Sequence, residues 1–271
     1  MNNIHPTAII SGSAKISDGV QVGPYCIVGP NVELSSNVTL HSHVCVDGHT
    51  YIGSETQVFP FASIGYPPQD LKFNGEDSQL IIGKNNIIRE YVTMHPGTSS
   101  GGMKTVIGNN CLFMVGAHVA HDCVVGDNVI LANNATLGGH VVVGDFAILG
   151  GLAAVHQFVR IGRHSIIGGL SAVVKDVIPY ASVAGDRAKL LGINITGMKR
   201  RNFSRKQIRA ALDAFEMIFV QETGGTLEER AATAAAKYQD CINVKEIFEF
   251  ITTNSTRTIC LTTQHKDTAD E

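Results

Sequence analysis

Histidine is the residue type whose spacing in this sequence points most directly to chemistry. Three of the eleven histidines follow one another at steps near eighteen residues, because His140 comes nineteen residues after His121 and His156 sixteen after His140. His118 lies three residues before His121, and His95 precedes both. A neutral imidazole can accept a proton from a hydroxyl group or bind a metal ion. These side chains act together only if the fold returns the chain to one place about every eighteen residues.

Two kinds of chemistry fit this pattern. In the first, one histidine is a general base for acyl transfer and takes a proton from a hydroxyl group as that group attacks a thioester. A carboxylate beside such a base orients it or raises its basicity, and both Asp122 and Asp70 are candidates for that role. In the second, three histidines bind a zinc ion, as in zinc hydratases. The spacing alone leaves both possibilities open.

A six-residue repeat supplies the required periodicity. A large aliphatic residue recurs every sixth position, and a small residue nearly always stands two positions before it. The recurring positions are Ile10, Ile16, Val22, Val28, Leu34, Leu40, Val46, Ile52, Val58, Ile64, Ile82, Ile88, Met94 and then, one residue out of phase, Ile107, Phe113, Val119, Val125, Leu131, Leu137, Val143, Leu149, Val155, Ile161, Ile167 and Val173.

The repeat predicts a parallel β-helix. Each six-residue unit corresponds to a short strand and a turn, with the aliphatic and the small residue pointing inward. Glycine often follows the aliphatic residue, and we expect it to supply the backbone freedom that the corner needs. Three units close one coil of about eighteen residues, so His121, His140 and His156 should stack along one edge over roughly 10 Å.

Two segments, residues 65–81 and 95–106, interrupt the repeat. We interpret both as loops thrown out from the coil, and long loops on a rigid scaffold often carry function. The first loop contains Asp70, whereas the sequence suggests no role for the second. The cysteines at the small inward position are expected to be buried packing thiols, and they are Cys26, Cys111 and Cys123.

A helical domain is predicted after the repeat ends, so that the β-helix covers residues 1–178 and the helical domain residues 179–271. A serine at position 204 would cap the first helix. Thr226 followed by Glu229 has the spacing of a capping box for the second. A third helix precedes a polar tail, which we expect to be loose from residue 254 onward.

The composition narrows the class of protein. Charged residues are 17% and hydrophobic residues 44%, which is typical of a globular chain. The formal net charge of −3 gives no general attraction to nucleic acid. Neither a signal peptide nor a transmembrane segment is predicted. The six cysteines form no CxxC pair and are expected to be reduced thiols of a cytoplasmic protein.

Motifs outside the repeat carry a resemblance over about residues 4–255. They are QDLK (69–72), IREYVTMHPGT (88–98), GAHVAHDC (116–123), LANNATLGGH (131–140), AVHQF (154–158) and GINITGMKRRNFSR (192–205). With them the sequence resembles the acyl-[acyl-carrier-protein]–UDP-N-acetylglucosamine O-acyltransferase family, which begins lipid A synthesis. The resemblance implies an all-β left-handed parallel β-helix with a C-terminal α-helical domain, a homotrimer with sites between subunits, and no cofactor or metal. It also implies transfer of a 3-hydroxyacyl group from acyl carrier protein to the 3-hydroxyl of UDP-N-acetylglucosamine.

The resemblance assigns a role to each matching residue. His121 would be the general base, Asp122 its carboxylate partner, and the Gly139 backbone N–H would stabilise the oxyanion of the tetrahedral intermediate. Gly169 would limit the acyl chain, and its small size suggests a long chain such as 3-hydroxymyristoyl. The substrate-binding residues would be Gln69, Asp70, Lys72, His95, His118, His140, His156 and Gln157, with Asn194, Arg200 and Arg201 at UDP or its phosphates.

Three alternatives remain open at this point. The same fold occurs in zinc hydratases, and a solenoid can also be a scaffold without catalysis. A related acyltransferase acts on the glucosamine amine, but it normally carries a separate N-terminal uridine-binding domain, whereas the repeat here begins within ten residues of the start.

Overall fold

Three parallel β-sheets form the walls of a triangular β-helix in this computed structural model, which describes residues 1–221 and 224–263. Successive strands of the chain belong to successive sheets, so each coil adds one strand to every sheet. His118 therefore pairs with Thr136, and Ile148 with Ile166, each one coil further on. The structure confirms the parallel β-helix that the repeat predicts and the left-handed fold class that the resemblance implies.

We number the sheets in the order in which the chain visits them. Sheet 1 consists of Asn3–Ile4, Gln21–Val22, Thr39–Leu40, Gln57–Val58, Ile87–Ile88, Leu112–Phe113, Ile130–Leu131, Ile148–Leu149, Ile166–Ile167, Ala181–Ala184 and Lys189–Ile193. Sheet 2 consists of Ile9–Ile10, Ile27–Val28, Cys45–Val46, Ser63–Ile64, Thr93–Met94, His118–Val119, Thr136–Leu137, Ala154–Val155 and Ala172–Val173. Sheet 3 consists of Lys15–Ile16, Glu33–Leu34, His49–Ile52, Gln79–Ile82, Lys104–Ile107, Val124–Val125, Val142–Val143 and Arg160–Ile161.

The interior of the coil is filled by the recurring aliphatic residues and the small residues beside them. Ile64 and Leu131 are fully buried, and so are the thiols of Cys26 and Cys123, as the repeat predicts. Complete burial of one such aliphatic side chain contributes roughly 1.5–3 kcal/mol. Within the β-helix the core is therefore a continuous rod, and the other side chains of each coil lie on its walls and edges.

Glycine recurs in the repeat for a reason other than the backbone freedom that the sequence suggested. The left-handed backbone conformation is adopted at many corners by other residues, such as Asn128 and His140. Gly108 is not in that region, but a Cβ on it would lie 2.6 Å from the backbone of Gly126 in the next coil. Glycine is needed at such positions because stacked coils approach too closely for a side chain.

Both interruptions of the repeat leave the coil at the same corner. Residues 65–78 connect sheet 2 to sheet 3, and residues 95–103 do the same one coil later. Each loop ends about three residues earlier than expected, because the strands Gln79–Ile82 and Lys104–Ile107 begin before the repeat resumes. The loops therefore lie one above the other along one edge.

The sheet continues beyond the predicted boundary at residue 178. Ala181–Ala184 pairs in parallel with Ile166–Ile167, and Lys189–Ile193 folds back on it in antiparallel orientation. Helices α1 (Ile195–Arg200), α2 (Arg205–Phe215, continued by a π-helix over Glu216–Val220), α3 (Leu227–Lys237) and α4 (Ile242–Thr252) follow. The predicted cap at Ser204 and the capping box at Thr226 are both present. Within the described residues, no helix has the length and apolarity needed to cross a bilayer.

The first part of the polar tail packs against the β-helix. Ile259 forms a bridge with Asp176, the Ser255 hydroxyl donates to an Asp176 carboxylate oxygen at 2.7 Å, and Cys260 is buried. The expectation of a loose tail after residue 254 is therefore wrong for residues 255–260, which Asp176 holds against the β-helix. The remainder, residues 264–271, lies outside the described residues.

Candidate active site

One edge of the β-helix collects most of the predicted site residues. We call it the histidine edge and define it as the corner where sheet 2 passes into sheet 3. In five successive coils this corner consists of residues 65–78, 95–103, 120–123, 138–141 and 156–159. Because stacked strands lie about 4.8 Å apart, residues of neighbouring coils touch along this edge.

His121 and Asp122 form a hydrogen-bonded pair at the centre of this edge. His121 Nδ1 lies 2.8 Å from Asp122 Oδ2, and the Asp122 side chain is 2% exposed. An ionised carboxylate only accepts hydrogen bonds, so Nδ1 carries the proton and Nε2 has a free lone pair. The Asp70 carboxylate instead accepts from the Lys72 backbone N–H in its own loop. Asp122 is thus the carboxylate that orients His121.

Gly139 lies against the ring of His121. A Cβ on Gly139 would lie 2.6 Å from His121 Cε1 and 2.7 Å from Nε2, so only glycine leaves room for the imidazole. The Gly139 carbonyl accepts from the Phe158 N–H. Its own N–H has no acceptor among residues 1–221 and 224–263. A backbone donor without a partner therefore lies close to the nitrogen that can take a proton.

His140 packs on the other side of the pair. Its ring is perpendicular to that of His121 with centroids 5.0 Å apart, and it stacks on Phe158 at 4.4 Å. His140 Nδ1 lies 4.0 Å from Asp122 Oδ2. Asp122, His140 and Phe158 occupy equivalent corner positions in successive coils, so they form a column with His121 beside it.

His156 lies at the histidine edge, as the coil count predicts, but outside the column formed by Asp122, His140 and Phe158. It lies two residues before Phe158 and is exposed, and its Nδ1 is 2.7 Å from a guanidinium nitrogen of Arg257. Arginine can only donate, so Nδ1 is the acceptor and Nε2 carries the hydrogen. The Gln157 carbonyl is farther from Nδ1, at 3.3 Å, and would need the opposite arrangement. Arg257 also donates to that carbonyl at 3.1 Å.

A second histidine cluster, which we call the strand-face pair, consists of His95 and His118. Their ring centroids are 5.4 Å apart. His118 Nδ1 lies 2.7 Å from the Thr93 hydroxyl, and His95 Nδ1 donates to the Tyr66 carbonyl at 2.9 Å. Within the described residues, His95 Nε2 is buried without a hydrogen-bond partner. His95 is the first residue of the 95–103 segment and His118 lies on the adjoining strand, so the pair is where sheet 2 meets the histidine edge, and it contains no carboxylate.

The environments of these groups lower all three pKa values, which favours the charged form of the carboxyl group and the neutral form of the imidazoles. Burial would raise the pKa of Asp122, but hydrogen bonds from Thr98 and His121 outweigh it and hold the pKa below its usual value. Burial lowers the pKa of His140. Burial, with smaller contributions from His95 and His121, lowers the pKa of His118 to about 4. At neutral pH the site therefore holds the ionised carboxylate of Asp122 and the neutral imidazoles of His118 and His140.

Four of the predicted residues, Gly169, Asn194, Arg200 and Arg201, are not brought to the histidine edge of the same chain. Gly169 is exposed at the corner between sheets 1 and 2. Asn194 caps α1 and donates to the His164 carbonyl at 3.0 Å, and the Arg201 guanidinium lies over the Phe146 ring. These two residues are at the corner between sheets 3 and 1, and Arg200 is exposed on the same helix.

The exposed residues Gln69, Lys72 and Gln157 belong to the histidine edge. Two residues that contact the site were missed by the sequence analysis. Arg257 belongs to the tail that was expected to be loose, and Thr98 belongs to the loop without an assigned role. The motif HPGT, which ends at Thr98, could have drawn attention to this residue. Its contact with Asp122 was not predicted, because the two residues are 24 positions apart in the sequence.

Three groups at the histidine edge also have the donor set of a cation site. His121, Asp122 and His140 offer ligand atoms that all lie within 4.8 Å of one another. Asp122 Oδ2 already accepts hydrogen bonds from His121 and Thr98. A cation would have to replace those contacts.

Two protein-family models match parts of this chain, one in the β-helix and one in the C-terminal region. A model of bacterial transferase hexapeptide repeats matches residues 104–139, which defines the β-helix as that of a hexapeptide-repeat transferase. A model of the second domain of UDP-N-acetylglucosamine O-acyltransferases matches residues 176–260.

Relatives extend the match to nearly the whole chain. The chain is 54% identical over 259 residues to the acyl-[acyl-carrier-protein]–UDP-N-acetylglucosamine O-acyltransferase of Rickettsia bellii, covering 96% of this chain and 92% of that protein. The same-named protein of Azorhizobium caulinodans is 51% identical, covering 95% and 94%. The crystal structure of UDP-N-acetylglucosamine O-acyltransferase from Moraxella catarrhalis has a TM-score of 0.90 at 42% identity, covering 94% and 98%. The chain belongs to the UDP-N-acetylglucosamine O-acyltransferase family and is an acyltransferase.

Proposed function

We propose that this chain transfers a 3-hydroxyacyl group from acyl carrier protein to the 3-hydroxyl of UDP-N-acetylglucosamine, with His121 as the general base. The observation that carries the proposal is the His121–Asp122 pair, whose 2.8 Å hydrogen bond leaves His121 Nε2 free beside the Gly139 N–H. The names of the relatives support the two substrates. The two features together suit a proton transfer that is coupled to formation of an oxyanion.

The chemical steps follow from these positions. His121 Nε2 takes the proton of the sugar hydroxyl while the hydroxyl oxygen attacks the thioester carbonyl carbon. The carbonyl oxygen becomes an oxyanion and accepts a hydrogen bond from the Gly139 N–H. Collapse of this intermediate breaks the carbon–sulfur bond, and protonated His121 returns the proton to the thiolate that leaves. Asp122 stays ionised throughout and stabilises the imidazolium.

The other predicted residues have binding roles in this proposal. Asp70 and Lys72 would hold the sugar and the acyl group, and the neutral His118 and His140 would donate or accept hydrogen bonds. Gln69, His95, His156 and Gln157 would line the substrate groove. Asn194, Arg200 and Arg201 would contact UDP, because an arginine fork pairs well with phosphate oxygens.

A homotrimer with sites between subunits is part of the proposal. Its support is the placement of the predicted site residues on three different edges of one chain. Gly169 and the arginines of α1 lie at other corners than His121. One substrate molecule could contact all of them only where the edges of adjacent chains meet. Sedimentation should therefore give the mass of three chains, and a fully active monomer would contradict it.

The direct test is an assay with UDP-N-acetylglucosamine and a panel of 3-hydroxyacyl carrier proteins of different chain lengths. We expect an ester at the sugar 3-hydroxyl. An amide product would indicate the amine-acylating relative instead, and absence of transfer with every donor would contradict the proposal. Metal analysis of the same active sample tests the zinc hydratase, which requires stoichiometric zinc whose removal abolishes turnover.

Gly169 gives this assay a prediction about chain length. A Cβ at Gly169 would lie 3.1 Å from the Gly151 carbonyl oxygen and 3.8 Å from the Gly151 nitrogen, with no other described residue within 4 Å, and Gly169 is exposed, so a larger side chain requires only a small shift. We expect the wild type to prefer a long chain and Gly169→Met to prefer a shorter one. A wild-type preference for a ten-carbon chain would refute the assignment.

A further inference from the structure

The loop of residues 95–103 encloses the carboxylate of Asp122. Thr98, which is 2% exposed, donates its backbone N–H to Asp122 Oδ1 at 3.0 Å and to Oδ2 at 3.1 Å. Its hydroxyl donates to Oδ2 at 2.6 Å. The Oδ2 atom that accepts from His121 therefore also accepts twice from Thr98, and the carboxylate cannot rotate without breaking several of these bonds.

The rest of the loop is shaped to fit the same carboxylate. A Cβ on Gly97 would lie 2.8 Å from Asp122 Oδ1, and a Cβ on Gly101 would lie 2.1 Å from Asp122 Cγ. The Asp122 backbone N–H donates to the hydroxyl of Thr105, just after the loop, at 2.8 Å. Protein groups thus fill the space around the carboxylate on the side away from His121.

A contact with the first loop holds the second one in place. The Ser99 hydroxyl donates to Glu76 Oε1 at 2.6 Å, and the Ser99 N–H donates to the same oxygen at 3.2 Å. The Ser99 hydroxyl, followed by the backbone N–H groups of Glu76 and Asn74, lowers the pKa of Glu76 to about 2. The loop that carries Asp70 and Lys72 is therefore tied to the loop that holds Asp122.

We propose that Thr98 is a positioning residue for the reaction, which fixes the Asp122 carboxylate so that Oδ2 faces His121 Nδ1. The inference rests on the proposed function of His121 as base. Without the Thr98 hydroxyl, Oδ2 loses its shortest hydrogen bond and the carboxylate can turn toward other donors. His121 then loses the partner that fixes its tautomer and stabilises its protonated form.

The test compares Thr98→Val, which keeps the shape and the backbone N–H, with Thr98→Ser, which keeps the hydroxyl. Loss of a hydrogen bond to a charged group predicts that Thr98→Val lowers kcat roughly 10- to 100-fold and leaves KM within about twofold. Thr98→Ser should restore most of kcat. The matched control is Thr56→Val, which removes another buried hydroxyl, bonded to the Gly83 carbonyl, and should leave kcat unchanged.

A second measurement separates positioning from general damage. In the His121→Ala background, Thr98→Val should lower the residual rate no further, because its effect passes through His121. An equal loss in both backgrounds would overturn the inference, and so would a kcat of Thr98→Val within twofold of wild type. If His121→Ala itself kept full activity, the proposed base would be wrong, and that outcome is distinct from failure of Thr98 alone.

Adjacent glycines provide a test that leaves Thr98 intact. Gly101→Ala places a methyl group against the Asp122 carboxylate, whereas a Cβ on Gly102 has no atom within 4 Å among the described residues. We expect Gly101→Ala to lower kcat by about the same factor as Thr98→Val, and Gly102→Ala to match wild type. Equal kcat values for Gly101→Ala and wild type would overturn the inference even if Thr98→Val failed to fold.

Discussion

The histidine edge and the strand-face pair use the same side chain in two different settings. At the histidine edge, His121 donates to a buried, ionised Asp122. In the strand-face pair, His95 donates to a backbone carbonyl and His118 is bonded to a hydroxyl. A carboxylate stabilises the protonated ring, whereas a neutral partner gives a buried ring no such help. The first setting suits proton transfer and the second suits hydrogen bonding by an uncharged ring.

The largest effect should come from removing the base. His121→Ala should lower kcat by roughly 10³-fold, because general-base catalysis contributes on the order of 10²–10⁴. Steady-state kinetics with both substrates would measure it. The control is His5→Ala at the opposite end of the β-helix, which should retain wild-type kcat. A loss below tenfold in His121→Ala would remove the distinction between the two clusters.

The next effect concerns Asp122, the carboxylate that bonds to His121 and has no counterpart in the strand-face pair. Asp122→Asn should lower kcat roughly 10²-fold, because an amide removes the charge and can present an N–H to His121 Nδ1, which favours the wrong tautomer. Thermal melting of the same variant checks that the fold persists. If Asp122→Asn retained full kcat while His121→Ala lost it, the base would act without an orienting carboxylate.

A smaller effect is expected in the strand-face pair. His118→Asn keeps a polar group near the Thr93 hydroxyl but removes the rest of the ring, so KM should rise by up to about tenfold and kcat should change little. Because the pKa of His118 is lowered to about 4, this ring is neutral from pH 6 to 9. The shape of the pH–rate profile over that range should therefore be the same in the variant. A shifted profile would mean that His118 takes part in proton transfer.

The smallest effect concerns stability and a histidine outside both clusters. His164 is stacked between Phe146 and Tyr180, and burial, with repulsion from two arginines, lowers its pKa to about 4. Between pH 6.5 and 4, His164 is protonated in the unfolded chain but not in the folded chain. The free energy of unfolding should therefore fall as the pH drops from 6.5 toward 4, by at most about 1.4 kcal/mol per pH unit from this group.

His164→Phe tests this stability effect. The variant should show a smaller loss of Tm between pH 7 and 5 than the wild type. Identical pH dependence of Tm in the two proteins would show that the stacked ring accepts a proton without cost.

The six-residue repeat predicted the fold and much of the site because both depend on periodicity. Counting in coils of eighteen residues placed His121 and His140 in contact, as the structure confirms. The same count placed His156 at this edge, but it did not show that the column continues from His140 to Phe158, two residues after His156.

Most of the contacts that the sequence did not predict involve segments outside the six-residue repeat. Thr98 reaches Asp122 through an irregular loop, and Arg257 reaches His156 from a polar tail across 101 residues. The sequence also did not show why glycine recurs in the repeat. The reason is the short distance between stacked coils, which the conformation of a single residue does not reveal. Contacts of this kind become visible only when separate parts of the chain are placed together.

The exit of both loops at one corner limits how the length of this protein can change in evolution. Gain or loss of one complete coil would leave the aliphatic core equally well packed, since every coil presents the same interior. The same event between the loops and His121 would move the base by one strand spacing, about 4.8 Å, while catalysis is sensitive to displacements near 1 Å. The core alone would thus permit length changes in steps of one coil, whereas the proposed role of His121 requires a fixed number of coils between residues 65 and 158.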